Sequence, residues 1–341
     1  MLGHALSNYY RILDGEDTAK YLRTKEHIVA VNLSDNEHEL WNLHDSALLR
    51  EAQTVEGMSF LDLKMELAHR MLDRCNLCER RCGAKRSAGE KGHCGVIEPR
   101  ISSEFIHMGE EPDLVPSYTI FFSGCTFECV FCQNWDISTK PTSGIQMSAD
   151  MVARMIEDKV ASKYPSNQRL RTAHFARNVN WVGGDPTSNL PFILEVLREC
   201  SANIPQVWNS NMYLTEESLK LLDGVIDVYL TDFKYGNDKC ALRLSNAPDY
   251  MRIVERNHRL ARVQAEMIVR HLVLPGHVEC CSRPILNWIA KNLSHVKVNV
   301  MAQYRPAHRA KGFKEIDRPL AMSEYSRAVE IANGLGLDLC D

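Results

Sequence analysis

The pattern of hydrophobic and polar positions changes along the chain at about Tyr118. Beyond this residue, short runs rich in β-branched and aromatic residues alternate with stretches of helical periodicity. This alternation predicts parallel βα units, and either a doubly wound sheet or a barrel-like arc would fit it. In both folds the chemistry collects at the carboxyl ends of the strands. The predicted strands are Tyr118–Ser123, Val179–Val182, Gln206–Asn209, Val225–Thr231, Ala265–Val273 and Val296–Met301.

The first 70 residues have a different, polar and helix-forming pattern. A segment that begins at Ser34 starts with capping residues and then places Leu40, Leu43 and Ala47 on one helical face. A second apolar face at helical spacing begins at Leu61. We interpret both faces as packing surfaces. Residues 71–116 show no clear periodicity, so three parts are predicted: a helical extension (1–70), a cysteine-rich metal-binding module of loops (71–116) and an α/β domain (117–341).

Composition and charge narrow the class of protein. The chain has 341 residues, of which 45% are hydrophobic, and this is enough for one large core with a smaller appended region. Its net charge of −4 argues against a nucleic-acid or membrane-surface partner. We find no apolar run that could span a membrane and no secretory signal. A cytoplasmic protein is therefore expected.

Cysteine is the residue type that stands out. The chain has twelve cysteines, and seven of them fall between Cys75 and Cys132. In a long chain without a secretory signal, such clustering indicates metal ligands rather than disulfides. Metal chemistry is therefore the first function to consider.

Three of these cysteines form a compact motif directly after the first predicted strand of the α/β domain. Cys125, Cys129 and Cys132 have the spacing C-x3-C-x2-C. Three thiolates in one loop can hold three irons of a cubane and leave the fourth open, which suits catalysis. Zinc is the competing ligand, but structural zinc normally closes with four protein ligands.

This motif, with the aromatic Phe131 before the third cysteine, resembles the signature of the radical S-adenosylmethionine enzymes. The resemblance implies a [4Fe–4S] cluster on the three cysteines and S-adenosylmethionine on the open iron. It also implies an oxidoreductase-type reaction. The cofactor is cleaved reductively to a 5′-deoxyadenosyl radical, which abstracts hydrogen from a substrate.

The ends of the later strands agree with this resemblance. WVGGDP resembles the family's GGE segment, with Asp185 in place of the usual Glu, and D-x-K and R-H-x-x-x-P-G segments like those of the glycyl-radical activases follow. The ordinary alternatives are a Gly-Asp-Pro turn, a solvated ion pair and a core histidine. By resemblance, the residues that contact S-adenosylmethionine are Asn134, Gly183, Gly184, Asp185, Asn209, Asp232, Lys234 and His271.

The chain from about Cys75 onwards is most similar to uncharacterised radical enzymes grouped with the pyruvate formate-lyase activating enzyme. This resemblance implies a partial (β/α)6 barrel of TIM type. It also implies an electron donor such as flavodoxin or ferredoxin, and a protein or peptide is one possible substrate class. Three hypotheses stay open: activation of a glycyl-radical enzyme, direct radical modification of a peptide, protein or small molecule, and a non-catalytic metal-binding or electron-carrying protein.

A second cysteine group precedes the motif. Its C-x2-C-x3-C start is more typical of an Fe–S cluster than of a zinc finger, although four thiolates satisfy either metal. Free or redox-active thiols are the remaining alternative. An auxiliary cluster could relay electrons or help to bind the substrate. The group consists of Cys75, Cys78, Cys82 and Cys94.

Three further cysteines follow later strands. Cys240 comes after the fourth predicted strand, and Cys280 and Cys281 come after the fifth, so all three are expected near the mouth of a barrel. They could be hydrogen-atom donors, covalent anchors or metal ligands. They could equally be small buried hydrophobic residues.

Overall fold

A computed structural model describes residues 5–31, 36–49, 56–161 and 175–340 of the chain. The N-terminal part contains helices and one small antiparallel ribbon. The helices are α1 (Ser7–Leu13), α2 (Lys20–Glu26), α3 (Glu37–Leu48) and α4 (Phe60–Arg70), and the ribbon pairs β1 (Ile28–Val29) with β2 (Met58–Ser59).

The centre of the protein is a sheet of eight strands in the order β10-β9-β8-β7-β6-β5-β4-β3. Strand β3 is antiparallel to its neighbour β4, and every other pair of neighbouring strands is parallel. The strands are β3 (Ile101–His107), β4 (Ser117–Phe122), β5 (Asn178–Gly183), β6 (Gln206–Ser210), β7 (Val228–Asp232), β8 (Glu266–Leu272), β9 (Lys297–Met301) and β10 (Asp338–Leu339).

Strand order decides between the two folds that the sequence left open. From β4 to β9 the order in space follows the order in the chain, whereas a doubly wound sheet reverses at a switch point. Among the described residues, the edge strands β3 and β10 are not paired with each other, so the arc stays open. The predicted partial barrel of TIM type is confirmed, and each of the six predicted strands corresponds to one of the strands from β4 to β9.

The strand β3 lies in a region that we interpreted as loop, and that interpretation is wrong for Ile101–His107. The strand is polar and only Ile101 is fully buried, because β3 is an edge strand with one face against the protein. It therefore lacks the apolar run that marked the inner strands. Its backbone nevertheless pairs along the whole of β4, with one irregularity after Ile101.

Helices surround the strands, and the two alternate along the chain as expected for βα units. Leu190–Glu199 presents a row of buried apolar side chains to the sheet, and Tyr250–Gln264 does the same on its inner face. The helices of this part are α5 (Trp135–Ser138), α6 (Ala149–Ala161), α7 (Leu190–Glu199), α8 (Glu216–Leu222), α9 (Asp238–Ser245), α10 (Tyr250–Gln264), α11 (Arg283–Asn292) and α12 (Met322–Gly334).

The N-terminal helices form where their caps and apolar faces predict. Asn36 and Glu39 make a capping box at the start of α3, which buries Leu40 and Ala47 as expected. Ser59 caps α4 by accepting a hydrogen bond from the backbone N–H of Asp62. The buried residues of both helices join the same hydrophobic core as the barrel. None of the helices in the described part of the chain has the length and apolar character needed to cross a lipid bilayer.

Candidate functional site

The three-cysteine loop begins where β4 ends and is held by backbone hydrogen bonds from outside the loop. The N–H groups of Glu128 and Val130 donate to the carbonyl groups of Ser245 and Leu244, at 3.1 and 2.9 Å. These two carbonyls lie in the last turn of α9, where helix carbonyls have no partner within the helix. The end of α9 therefore fixes the middle of the loop.

The three thiols line one cavity of about 230 Å³ at the carboxyl ends of the strands. Cys125 Sγ lies 3.3 Å from the carbonyl oxygen of Gly184, and Cys129 Sγ accepts a hydrogen bond from the Ser245 hydroxyl at 2.9 Å. Cys132 Sγ lies 3.3 Å from the Ser138 hydroxyl. The three cysteines of the sequence motif therefore belong to one site.

Burial controls the protonation of these thiols. It raises the pKa of Cys125, and the neighbouring Asp185 raises it further. Burial also raises the pKa of Cys129 to about 11, although the Lys234 ammonium acts in the opposite direction. Thiols whose pKa is raised in this way can act as thiolate ligands only if a metal displaces their protons.

The donor set fits an iron–sulfur cluster. Among the described residues, the sulfur atoms of Cys125, Cys129 and Cys132 do not all lie within 4.8 Å of one another. A single ion needs all its ligands close together, whereas a cubane holds each thiolate on a different iron. Three sulfurs spread around one open cavity therefore suit a cluster with a free position.

Gly183 and Gly184 allow β5 to approach the cysteine loop. A Cβ atom on Gly183, where φ is +139°, would lie 2.1 Å from the carbonyl oxygen of Phe122, and one on Gly184 would lie 2.0 Å from that of Gly124. No side chain fits at either position. The two glycines therefore let protein segments approach closely at the cavity wall, whereas their predicted contact with a ligand stays a prediction.

Asp185 is buried and holds the end of β5 to the end of β6. Its carboxylate accepts hydrogen bonds from the Ser210 hydroxyl at 3.1 Å and from the backbone N–H of Asn211 at 2.9 Å. Burial raises its pKa despite these bonds. Asn211 in turn donates to the Thr126 hydroxyl at 2.9 Å, beside Cys125. Asp185 thus positions the cavity wall through its side chain.

Opposite charges meet at the ends of β7 and β8. Asp232 Oδ2 lies 2.6 Å from Lys234 Nζ, and Asp232 Oδ1 lies 3.1 Å from Arg270 Nε. Burial alone would raise the pKa of Asp232, but Arg270 and Lys234 reverse this and lower it. Asn209 Oδ1 accepts a further hydrogen bond from Arg270. A carboxylate, two cations and an amide therefore share one wall of the cavity.

The structure places Arg270 at the site and His271 behind it. Neighbouring residues of a strand point to opposite faces. The Nδ1 atom of His271 lies 2.9 Å from the carbonyl oxygen of Phe233, and Nε2 lies 2.8 Å from the Ser282 hydroxyl. Burial lowers the pKa of His271 to about 4. The sequence prediction named His271 and missed Arg270, although Arg270 is the only arginine or lysine in β8.

Asn134 lines the cavity, beyond the third cysteine of the loop. Its carbonyl oxygen accepts the first backbone hydrogen bonds of α5, from Ile137 and Ser138. Gln133 and Gln303 also line the cavity, and the Gln133 amide donates to the Gln303 carbonyl at 3.0 Å. The sequence prediction did not include these two, because no charge or glycine marks them.

The second cysteine group packs beside the first. Burial raises the pKa of Cys78, and the thiols of Cys94, Cys75 and Cys82 raise it further, so the four sulfurs lie within electrostatic reach of one another. Among the described residues they form no set of ligand atoms within 4.8 Å. A second cavity touches Cys94 and also Cys125 and Cys129 of the three-cysteine loop.

Comparison with known proteins shows the family of the chain. The family model of the Radical SAM superfamily matches residues 119–289, a range that contains the three-cysteine loop and the ends of β5 to β8. An uncharacterised protein of Methanocaldococcus jannaschii is 45% identical over 316 residues, which cover 89% of each chain. The chain belongs to the radical S-adenosylmethionine superfamily, and its cofactors are a [4Fe–4S] cluster and S-adenosylmethionine.

Solved structures show partial similarity. A domain of a pyruvate-formate lyase-activating enzyme from Bacteroides vulgatus is 14% identical, with a TM-score of 0.40, and covers 48% of this chain and 96% of its own. SuiB of Streptococcus suis is 12% identical, with a TM-score of 0.46, and covers 65% of this chain and 47% of its own.

Proposed function

We propose that Cys125, Cys129 and Cys132 ligate the catalytic cluster and that S-adenosylmethionine occupies the adjoining cavity. The observation that carries this proposal is the convergence of three thiols and the strand-end charges on one cavity. When bound, a [4Fe–4S] cluster supplies the electron for reductive cleavage of the sulfonium. Hydrogen abstraction from a substrate follows from this class of chemistry.

The charged wall suits the amino-acid part of S-adenosylmethionine. Lys234 has three N–H donors and uses one on Asp232, which leaves donors for a ligand carboxylate. The two neighbouring cations lower the pKa of Asp232 and favour its ionised form. Its carboxylate can therefore accept hydrogen bonds from ribose hydroxyls or face the sulfonium. Arg270 joins Asp232 to Asn209 and keeps both in place.

Gly183, Gly184 and Asp185 are proposed to form the backbone side of the pocket. Their tight packing against the cysteine loop holds the strand end at a constant distance from the thiols. The Asp185 carboxylate, shorter than the usual Glu, is already hydrogen-bonded to Ser210 and Asn211. This part of the pocket would therefore bind its ligand through backbone groups. His271 is proposed to act indirectly, by supporting the backbone at Phe233.

Aromatic side chains would keep water from the reacting atoms. Phe127 and Phe131 line the cavity among the three thiols. Phe131 packs edge-on against Tyr235 and Tyr304, with ring centroids 6.5 and 5.9 Å away. A rigid apolar wall lowers the local dielectric and strengthens the interactions of the charged wall.

The four cysteines of the second group are proposed to hold an auxiliary Fe–S cluster. Their sulfurs influence one another, but among the described residues no three of them lie within 4.8 Å of one another, which favours a cluster over zinc. The second cavity joins Cys94 to the catalytic loop. This proximity supports a role in electron transfer from a donor such as flavodoxin or ferredoxin.

The test is anaerobic reconstitution with iron and sulfide, followed by dithionite and S-adenosylmethionine. The wild-type protein is expected to form 5′-deoxyadenosine, and Cys129→Ala is expected to reduce its rate at least 1,000-fold, which is about 4 kcal/mol. Cys340→Ser, a change outside both cavities, is the control. An intact cluster that yields no 5′-deoxyadenosine would leave the protein as an electron carrier.

The substrate hypotheses are separated by a second experiment on the same holoprotein. A stable glycyl-radical signal in the electron paramagnetic resonance spectrum of an added glycyl-radical enzyme would support the activase hypothesis. The open arc between β3 and β10 would admit a protein loop. 5′-Deoxyadenosine without such a signal would favour direct modification of another substrate.

A further inference from the structure

Three potential metal ligands converge on the outer side of the barrel mouth, outside both cysteine groups discussed so far. One atom each from Cys240, His277 and Cys280 forms a set in which all atoms lie within 4.8 Å of one another. Cys240 lies in the first turn of α9, after β7. His277 and Cys280 lie in the turn after β8, where Val278–Ser282 forms one π-helical turn. Residues 37 positions or more apart in sequence therefore meet in space.

We propose that Cys240, His277 and Cys280 bind a mononuclear zinc ion. Thiolate and imidazole are the ligands that zinc prefers, and the set contains no carboxylate that would favour magnesium or calcium. Two thiolates also neutralise the two positive charges of the ion, so little net charge is placed in a partly buried site. The two thiol protons leave to solvent when the ion binds.

The tautomer of His277 is suitable for metal binding. Its Nδ1 atom lies 2.8 Å from the carbonyl oxygen of Pro275, and a carbonyl oxygen can only accept. Nδ1 therefore carries the proton, and Nε2 keeps the lone pair that a metal takes. A backbone carbonyl on the far nitrogen is a common way for proteins to orient a ligating histidine.

Cys281 provides a fourth sulfur beside the site, and its Sγ atom lies 3.8 Å from Cys280 Sγ. It lies outside the set of three atoms within 4.8 Å of one another, so the proposed ion is held by two thiolates and one imidazole, with a water molecule in the fourth position. The thiol of Cys240 also acts on Cys281, so this fourth sulfur lies beside two of the three ligands.

The two loops are already joined around the proposed site. The Asn237 side chain accepts from the backbone N–H of Cys240 and donates to the carbonyl oxygen of Cys280, both at 2.8 Å. A Cβ atom on Gly236 would lie 2.7 Å from the carbonyl oxygen of Cys281, so only glycine permits this approach. The ligands are thus held in place by the backbone and need little rearrangement to bind an ion.

The proposed ion would stabilise the catalytic loop from a distance. It would tie the first turn of α9 to the turn after β8, whereas the last turn of α9 holds the catalytic loop through Ser245 and Leu244. The three ligand atoms of this site lie close together. In the two other cysteine groups, by contrast, no three ligand atoms of the described residues lie within 4.8 Å of one another. One chain would therefore carry clusters and a single ion at separate places.

The experiment uses the full chain after anaerobic reconstitution of its clusters, followed by titration with Zn²⁺ against a competing chelator. The wild-type protein is expected to bind about one zinc ion per chain. Cys240→Ser and Cys280→Ser are each expected to weaken this binding at least ten-fold, because each removes one ligand. Cys340→Ser is the matched control, since it removes a thiol that lies outside the set and is expected to keep the wild-type affinity.

Equal zinc binding by the wild type and by Cys280→Ser would overturn the proposal. The Cys280 side chain is exposed, so its loss should not unfold the chain, and unchanged iron content would verify this. A disulfide that joins any two of Cys240, Cys280 and Cys281, detected by the mass of the unreduced protein, would also overturn the proposal.

X-ray absorption at the zinc edge of the wild-type protein provides a test that needs no variant. The expected shell contains sulfur together with one imidazole nitrogen. A shell of four sulfurs without nitrogen would place the ion at Cys75, Cys78, Cys82 and Cys94 and contradict the proposal.

Discussion

Arg270 and Asp232 are register partners on β8 and β7, and Arg270 Nε lies 3.1 Å from Asp232 Oδ1. Arg270 also contacts Glu110 at 3.4 Å and donates to Asn209, so a single guanidinium joins two carboxylates and an amide. Burial alone would lower the pKa of Arg270, but Asp232, Glu111 and Glu110 raise it. A cation with this many partners organises the charged wall of the cavity.

Arg270→Met is expected to destabilise the protein and to impair the pocket. It leaves Lys234 as the only cation in contact with Asp232 among the described residues and removes the guanidinium contact of Glu110, which should lower the free energy of unfolding by about 3 kcal/mol. We expect the Kd for S-adenosylmethionine, measured by equilibrium binding to the reconstituted protein, to rise at least ten-fold. Arg270→Lys should recover part of the stability but less of the binding, because lysine cannot bridge the same partners.

His271→Gln is the matched comparison for Arg270. Its ring contacts Phe233 and Ser282 rather than the cavity, so we expect a smaller change in Kd for S-adenosylmethionine than Arg270→Lys produces. If the folded His271→Gln protein loses S-adenosylmethionine binding while Arg270→Lys retains it, the assignment of the two residues must be exchanged.

Gly184→Ala is expected to prevent assembly of the catalytic site. The added Cβ would lie 2.0 Å from the Gly124 carbonyl oxygen and 3.0 Å from Cys125 Cβ, so the cysteine loop must move. Iron bound after reconstitution and the rate of 5′-deoxyadenosine formation should both fall at least ten-fold.

Gly334→Ala is the control for this substitution. This glycine lies at the end of α12, and a Cβ there would meet nothing within 4 Å. Alanine has the higher helix propensity, so the free energy of unfolding should stay the same or rise by up to about 1 kcal/mol. Equal iron content in the two alanine variants would argue against the tight contact at Gly184.

Cys82→Ser combined with Cys94→Ser tests the auxiliary cluster. If two cubanes are present, the wild type should bind about eight iron atoms per chain and the double variant about four. Because dithionite can reduce the catalytic cluster directly, 5′-deoxyadenosine should still form in the double variant. An iron content that equals that of Cys340→Ser would show that the second group holds no cluster.

The stability of the fold should fall as the pH falls below 6.5, partly because of His258. Burial lowers the pKa of this ring to about 4, although its bond to the Val254 carbonyl and the charge of Asp232 act in the opposite direction. The unfolded chain, with a histidine pKa near 6.5, then binds more protons than the folded chain. This difference should cost about 1 kcal/mol between pH 7.5 and 5.5.

Urea unfolding at these two pH values measures the effect. His258→Phe keeps an aromatic ring against Phe233 and should reduce the pH-dependent loss by about 1 kcal/mol. His38→Gln, a change on the exposed face of α3, should leave the loss unchanged. An unaltered pH dependence in His258→Phe would mean that this histidine is protonated in the folded state.

The sequence by itself determined the inner strands and the three-cysteine loop. Both depend on neighbours in the chain: short apolar runs specify β4 to β9, and the spacing of Cys125, Cys129 and Cys132 lets one loop present three thiols. The position of the site at the strand ends then follows, because parallel strands bring their carboxyl ends to one edge of the sheet. Asp232 and Lys234, at the end of the fourth predicted strand, line the cavity at this edge.

Only the tertiary structure decided which side chains face the cavity and which distant loops meet. Arg270 and His271 are adjacent in the sequence, and strand register sends one into the cavity and the other behind it. The polar edge strand β3 is defined by its pairing with β4. Cys240, His277 and Cys280 form a set because two loops pack together, and no local pattern in the sequence encodes the distance between them.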